Sequence, residues 1–154
     1  MTWLEQVNIL GIVALAMVLG GVIGFEREAA DKPAGFRTQM LVAGAAALLV
    51  GLSSAVIERF GAESTSLISA DPVRVVQGII IGIGFIGGGT ILMNPKERQV
   101  EGLTTAASLL LTGGIGIAVA LRQFVLAAGT TLLVIIVLRV LALVERWLKR
   151  QMAR

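Results

Sequence analysis

Five apolar runs, each long enough to cross a membrane as a helix, occupy most of this chain. They cover residues 7–25, 38–57, 73–93, 103–121 and 124–144. A helix needs about 20 apolar residues to span the hydrocarbon layer of a bilayer, and each run is close to that length. In lipid only helices and closed barrels satisfy their own backbone hydrogen bonds. Because the runs lack the two-residue alternation of barrel strands, they predict an all-α bundle of five short transmembrane helices.

The composition indicates an integral membrane protein without catalytic activity. Of its 154 residues 56% are hydrophobic and 15% are charged, and there is no cysteine or histidine. A soluble domain has about a quarter charged residues. Thiolate and imidazole catalysis are excluded, so we expect a single transmembrane domain over residues 1–154, with no enzymatic activity, no cofactor and no soluble C-terminal domain. Any bound cation would be a hard one held by oxygen, such as magnesium.

The basic residues are distributed unequally between the two sides of the predicted bundle. Nine lie in the first loop, the third loop and the C-terminus, against three on the other side. The nine are Arg27, Lys32, Arg37, Lys96, Arg98, Arg146, Lys149, Arg150 and Arg154, and the three are Arg59, Arg74 and Arg122. Because basic loops stay in the cytoplasm, we expect the N-terminus outside, the C-terminus inside and a multi-pass protein of the bacterial inner membrane. The net charge of +3 then reflects membrane topology rather than nucleic-acid binding.

Glycine is concentrated inside the runs, where 16 of the 19 glycines lie. The segment from Gly82 to Gly87 matches the GxGxxG dinucleotide fingerprint, but Asn94-Pro95 cuts the following helix short. The region around Ala107, where the fingerprint would need an acid, has none. Small residues at four-residue spacing let helix backbones approach each other in lipid. They predict close packing of the third helix, or a locally unwound segment. The glycines concerned are Gly78, Gly82, Gly84, Gly87, Gly88 and Gly89.

Polar residues form two candidate sites. The acids lie outside the centres of the runs, which weighs against a pump or a proton-coupled carrier. The first candidate, on the cytoplasmic side, comprises Glu26, Arg27, Glu28, Arg37, Thr104 and Thr105. It is either a docking or ion-sensing surface or a solvated, self-neutralised loop, and either threonine is suited to cap the fourth helix. The second candidate, at the outer end of the third helix, comprises Asp71, Arg74 and Gln77.

Five short motifs follow one another over residues 11–121. They are GFERE from Gly24, KPAGFRT from Lys32, DPVR from Asp71, GIGFIGGGT from Gly82 and GLTTAAS from Gly102. Together they resemble the MgtC/SapB family of bacterial inner-membrane proteins. The resemblance implies a role in magnesium homeostasis during growth in low magnesium, virulence in some pathogens, and regulation of membrane partners such as the proton-translocating ATP synthase.

The sequence departs from this family in three places. Many members continue into a soluble ACT-like domain, whereas this chain ends at Arg154. Gly88 stands where alanine is usual, and Leu110 where tryptophan is frequent. We expect a non-enzymatic homo-oligomer that acts through membrane partners. The alternative is a small transporter or channel for magnesium or another cation, which a broken third helix would favour.

Overall fold

The protein forms a bundle of helices in the computed structural model, which describes residues 2–61, 71–94 and 99–152, with side chains over 2–56, 71–91 and 100–140. Its helices are α1 (Trp3–Ala29), α2 (Phe36–Gly61), α3 (Pro72–Gly89), α4 (Leu103–Ala120) and α5 (Phe124–Met152). The predicted all-α architecture of five helices is confirmed. By length and composition, α1 to α4 are able to cross a membrane, and α5 contains the shorter apolar segment Phe124–Val140.

Several residues that the predicted topology depends on fall outside these ranges. Pro95, Lys96, Arg98 and Arg154 lie outside the described residues. The side chains of Arg59, Arg146, Lys149 and Arg150 lie outside the described side chains.

The third helix is shorter than its apolar run. Helix α3 ends at Gly89 and not at Met93, and Thr90 caps it by donating its backbone N–H to Gly87. Two three-residue strands that the apolar pattern did not predict follow, β1 (Leu92–Asn94) and β2 (Gln99–Glu101), paired antiparallel. Three successive glycines are poor helix formers, and the backbone groups of the next residues bond across the hairpin instead.

Close contacts between backbones hold α1, α2 and α4 together. A Cβ added to Gly20 would lie 2.6 Å from the carbonyl oxygen of Gln39, and one added to Gly24 would lie 2.6 Å from the Cα of Phe36. On α4, a Cβ on Gly116 would overlap the carbonyl oxygen of Ala43. Helices in lipid associate through such close packing because no hydrophobic effect drives them together.

The order of these contacts fixes the helix directions. Along α2 and α4, Gln39 bonds to Ser108 and Ala43 lies against Gly116, so these two helices run parallel. Helix α1 runs antiparallel to α2. The loop of residues 30–35 and the β1–β2 hairpin therefore lie at the same end of the bundle, which we call the hairpin face.

Candidate functional site

An ion pair closes the last turn of α1. The Nε of Arg27 donates to Oε2 of Glu26 at 2.8 Å, and its Nη2 donates to Oε1 at 3.3 Å. Glu26 is 6% exposed and Arg27 is 4% exposed. Each charge compensates the other in this buried position, and removing one partner of such a pair typically costs about 3–5 kcal/mol.

Glu28 joins α1 to α2. Its Oε2 accepts a hydrogen bond from the backbone N–H of Phe36 at 2.9 Å. Phe36 is the first residue of α2, so the carboxylate satisfies an N–H that has no partner within the helix and places a negative charge at the positive end of its dipole. Arg37 is the next residue and its side chain is exposed. The acids of this predicted cluster thus bond to Arg27 and to the start of α2.

Neither threonine caps α4. The N-cap is Gly102, with φ of 88° and no side-chain hydrogen bond, and a Cβ there would overlap the carbonyl oxygen of Thr90. The prediction that a threonine caps this helix is wrong, because Thr104 and Thr105 both lie inside it. Thr104 is exposed, whereas Thr105 is buried. Only glycine adopts this left-handed conformation without strain, so Gly102 fixes the angle between β2 and α4.

A buried polar cluster beneath the hairpin face was not predicted as a site. Gln39 on α2 is fully buried, and its Nε2 donates to Oγ of Ser108 on α4 at 2.9 Å. Ser108 in turn donates to the backbone carbonyl of Thr105 at 2.8 Å. Oε1 of Gln39 and Oγ1 of Thr112 are buried without a hydrogen-bond partner. The one sequence feature that pointed to this cluster was the side-chain amide of Gln39 at the start of an apolar run.

The second predicted cluster lies on the first turns of α3. Oδ1 of Asp71 accepts the backbone N–H of Val73 at 2.9 Å and caps the helix, as its position before Pro72 favours. Asp71, Arg74 and Gln77 are all exposed. Their spacing of three residues places them along one side of α3.

Most glycines of α3 have open space beside them in the described part of the chain. Gly87 alone among the six named above has one within reach, because an added Cβ would lie 3.4 Å from Ala106 on α4. A Cβ on any of the other five would meet no described atom of another element within 4 Å. These five, which we call the α3 glycine face, are Gly78, Gly82, Gly84, Gly88 and Gly89. Gly78 and Gly82 also line an apolar groove of about 670 Å³ between α2 and α3.

The acids of the described segments do not gather into a metal-binding group. Within those segments, no group of three or more histidine, cysteine, aspartate or glutamate residues is arranged to hold a metal ion. The carboxylates of Glu26, Glu28 and Asp71 each accept a hydrogen bond from the protein itself.

Comparison with known proteins connects these motifs to one family. The family model described as "MgtC family" matches residues 13–147. An uncharacterized protein of Haemophilus influenzae is 38% identical over 150 residues, which is 97% of this chain and 62% of the relative. The Escherichia coli protein named "Putative magnesium transporter YhiD" is 33% identical over 82% of this chain and 57% of its own length.

A third relative carries the family name. Protein MgtC of Brucella abortus is 40% identical over 76% of this chain and 44% of its own length. The chain thus spans about three fifths of the length of the first relatives it matches, at 62%, 65% and 57%. No solved structure matches this chain.

Proposed function

Because this chain belongs to the MgtC family, we propose that it serves adaptation to low magnesium as a non-enzymatic protein of the inner membrane that acts by binding other membrane proteins. The partner we propose is the membrane sector of a proton-translocating ATP synthase, alongside self-association into a homo-oligomer. We propose the orientation that the basic residues predict, with the hairpin face in the cytoplasm.

The observation that carries this proposal is the α3 glycine face. At five glycines of this one helix, an added Cβ would meet no atom of another described element within 4 Å. In lipid, association of helices depends on small residues that let backbones approach, and GxxxG pairs such as Gly84 and Gly88 are typical of such interfaces. Gly78 and Gly82 form a second pair, beside the groove between α2 and α3. Gly84 and Gly88 lie about 120° around α3 from Gly78 and Gly82, so each pair is suited to its own helix from outside the chain.

The bonding of the acids also supports a binding role. Each of three acids has a structural role. Glu26 pairs with Arg27, Glu28 caps the start of α2, and Asp71 caps the start of α3. Magnesium is usually bound through carboxylates and retained waters, so a transport path would call for carboxylates that are free to face it. Arg37 remains exposed on the hairpin face, where a partner is able to reach it.

The test of partner binding uses the glycine face. We expect Gly84→Leu and Gly88→Leu to reduce co-purification of the partner from membranes and to impair growth in low magnesium, because leucine prevents close approach of a second helix. Gly114→Leu is the matched control. Gly114 is an exposed glycine of α4, and a Cβ added there would meet no described atom of another element within 4 Å. Unchanged binding and growth in both α3 variants would contradict the proposal.

The transporter alternative is favoured by the name of the Escherichia coli relative. Liposomes that contain only the purified chain distinguish the two functions, because a transporter needs no partner. We expect no magnesium flux above that of empty liposomes. Flux that Asp71→Ala or Gln77→Ala reduces would establish transport and overturn our proposal.

A further inference from the structure

A groove on the lipid-facing side of the bundle has apolar walls and a charged end. It lies between α1, α2 and α5 and has a volume of about 410 Å³. Its apolar walls include Val18 and Val22 of α1, Met40 of α2 and Ile135 of α5. This groove is separate from the α3 glycine face.

The polarity of the groove changes along α1. Val18, Val22 and Phe25 lie on one side of the helix, at positions that recur every three or four residues. Glu26 follows at the end near the hairpin face, about 12 Å along the helix from Val18. Arg139 of α5 also lines the groove, one turn after Ile135, and its side chain is exposed.

Among the described side chains, the charged residues that line the groove and Arg27, the partner of Glu26, sum to one net positive charge. Glu26 is negative, but Arg27 neutralises it through two hydrogen bonds. Within the described side chains, Arg139 has no ion pair with a carboxylate. An arginine inside an apolar helix extends its guanidinium toward the nearest polar layer of the bilayer, so its unneutralised charge faces the headgroups there.

We propose that this groove binds one anionic phospholipid, with an acyl chain along Val18 and Val22 and the phosphate on Arg139. The planar guanidinium donates two parallel hydrogen bonds to a phosphate, which is the geometry that favours arginine at such sites. The single net positive charge selects lipids with a net negative headgroup over zwitterionic ones. The lipid fills a gap that the side chains of the described bundle leave open.

The test measures lipid retention by the purified protein. Native mass spectrometry counts bound lipid after addition of phosphatidylglycerol or phosphatidylcholine, and thermal unfolding gives the Tm with each. We expect preferential retention of phosphatidylglycerol and a higher Tm with it, because a ligand that binds only the folded state stabilises that state. Inorganic phosphate without an acyl chain should leave Tm unchanged. Equal retention of both lipids, or a rise in Tm with phosphate alone, would overturn the proposal.

Two variants separate charge from shape. Arg139→Gln should weaken retention of phosphatidylglycerol about fivefold, the effect of one basic group near an anionic headgroup. Val22→Trp fills the groove and should reduce retention of both lipids without a change in charge. The matched control is Arg122→Asn, because asparagine tolerates the φ of 60° at that exposed position.

The remaining outcomes also decide the proposal. Equal loss in Arg139→Gln and Arg122→Asn would show nonspecific attraction of lipid and contradict it. A change of oligomeric mass in Val22→Trp with lipid retention intact would indicate that a second copy of the chain occupies the groove.

Discussion

At the residue scale, the bond between Glu26 and Arg27 is unusual for a helix. Neighbouring residues point about 100° apart around the axis, and ion pairs normally form at spacings of three or four. Here two long side chains bend toward each other at the end of α1, where both are buried. The sequence suggested that the charges of this loop pair, but the choice of partners depends on which side chains the neighbouring helices cover.

We predict that breaking this pair is worse than removing it. Glu26→Gln or Arg27→Gln alone should lower the free energy of unfolding by about 3–5 kcal/mol, because one buried charge loses its partner. The double variant should lose less than either single variant, because it leaves no buried charge without a partner. Reversible unfolding of the purified chain in mixed micelles measures these changes. Additive losses would contradict the pairing.

The exposed Arg37 supplies the control for this cycle. Arg37→Gln removes a charge of the same type from the neighbouring helix start, and surface substitutions usually change stability by less than about 0.5 kcal/mol. A loss as large as that of Arg27→Gln would mean that burial does not explain the effect.

At the scale of elements, run length was sufficient to predict the helices because lipid leaves an apolar segment of about 20 residues almost no other structure. The joints between elements were harder to predict. The start of α4 at Gly102 depends on a close contact with Thr90, and the end of α3 at Gly89 depends on the pairing of β1 with β2. Both involve residues that are not neighbours in the sequence. Gln39 was missed for the same reason, since its partner Ser108 lies on another helix.

The α1–α2 contact gives a prediction at this scale. Gly24→Ala should destabilise the bundle by about 1–3 kcal/mol, because its Cβ would lie 2.6 Å from the Cα of Phe36, which is backbone and cannot turn aside. Gly11→Ala on the same helix meets no atom within 4 Å and should be neutral or slightly stabilising. Unfolding of both variants under the same conditions measures the difference. Equal stabilities would mean that α1 and α2 are farther apart than described.

At the scale of the whole molecule, the two ends of the bundle differ in character. At the hairpin face lie the Glu26–Arg27 ion pair, Glu28 at the start of α2 and Gly102 at the start of α4. The start of α3 at the other end carries the exposed residues Asp71, Arg74 and Gln77. The order of spans and loops in the sequence was enough to predict which residues lie at the same end of the bundle. Which of them bond to each other required the packing of the helices.

Thiol labelling in intact cells tests the orientation. The chain has no cysteine, so Ala30→Cys, Ala62→Cys and Ala153→Cys each introduce a single reactive site. We expect an impermeant reagent to label only Ala62→Cys from outside, because the excess of lysine and arginine holds the other two positions in the cytoplasm. Labelling after permeabilisation is the control for accessibility. Reaction of Ala30→Cys in intact cells would reverse the orientation.

The hydrogen bond between Gln39 and Ser108 has a consequence for biogenesis. The two residues are 69 positions apart. Ribosomes add about 5–20 residues per second, so Gln39 is synthesised roughly 3 to 14 seconds before Ser108. During that interval the amide has no serine to bond, and a bare amide in hydrocarbon is unfavourable. Gln39 is only the fourth residue of α2, so its side-chain amide is close enough to the membrane surface to hydrogen-bond with water. We therefore expect the first hairpin to enter the bilayer with water at the Gln39 end, and the packing of α4 to replace that water.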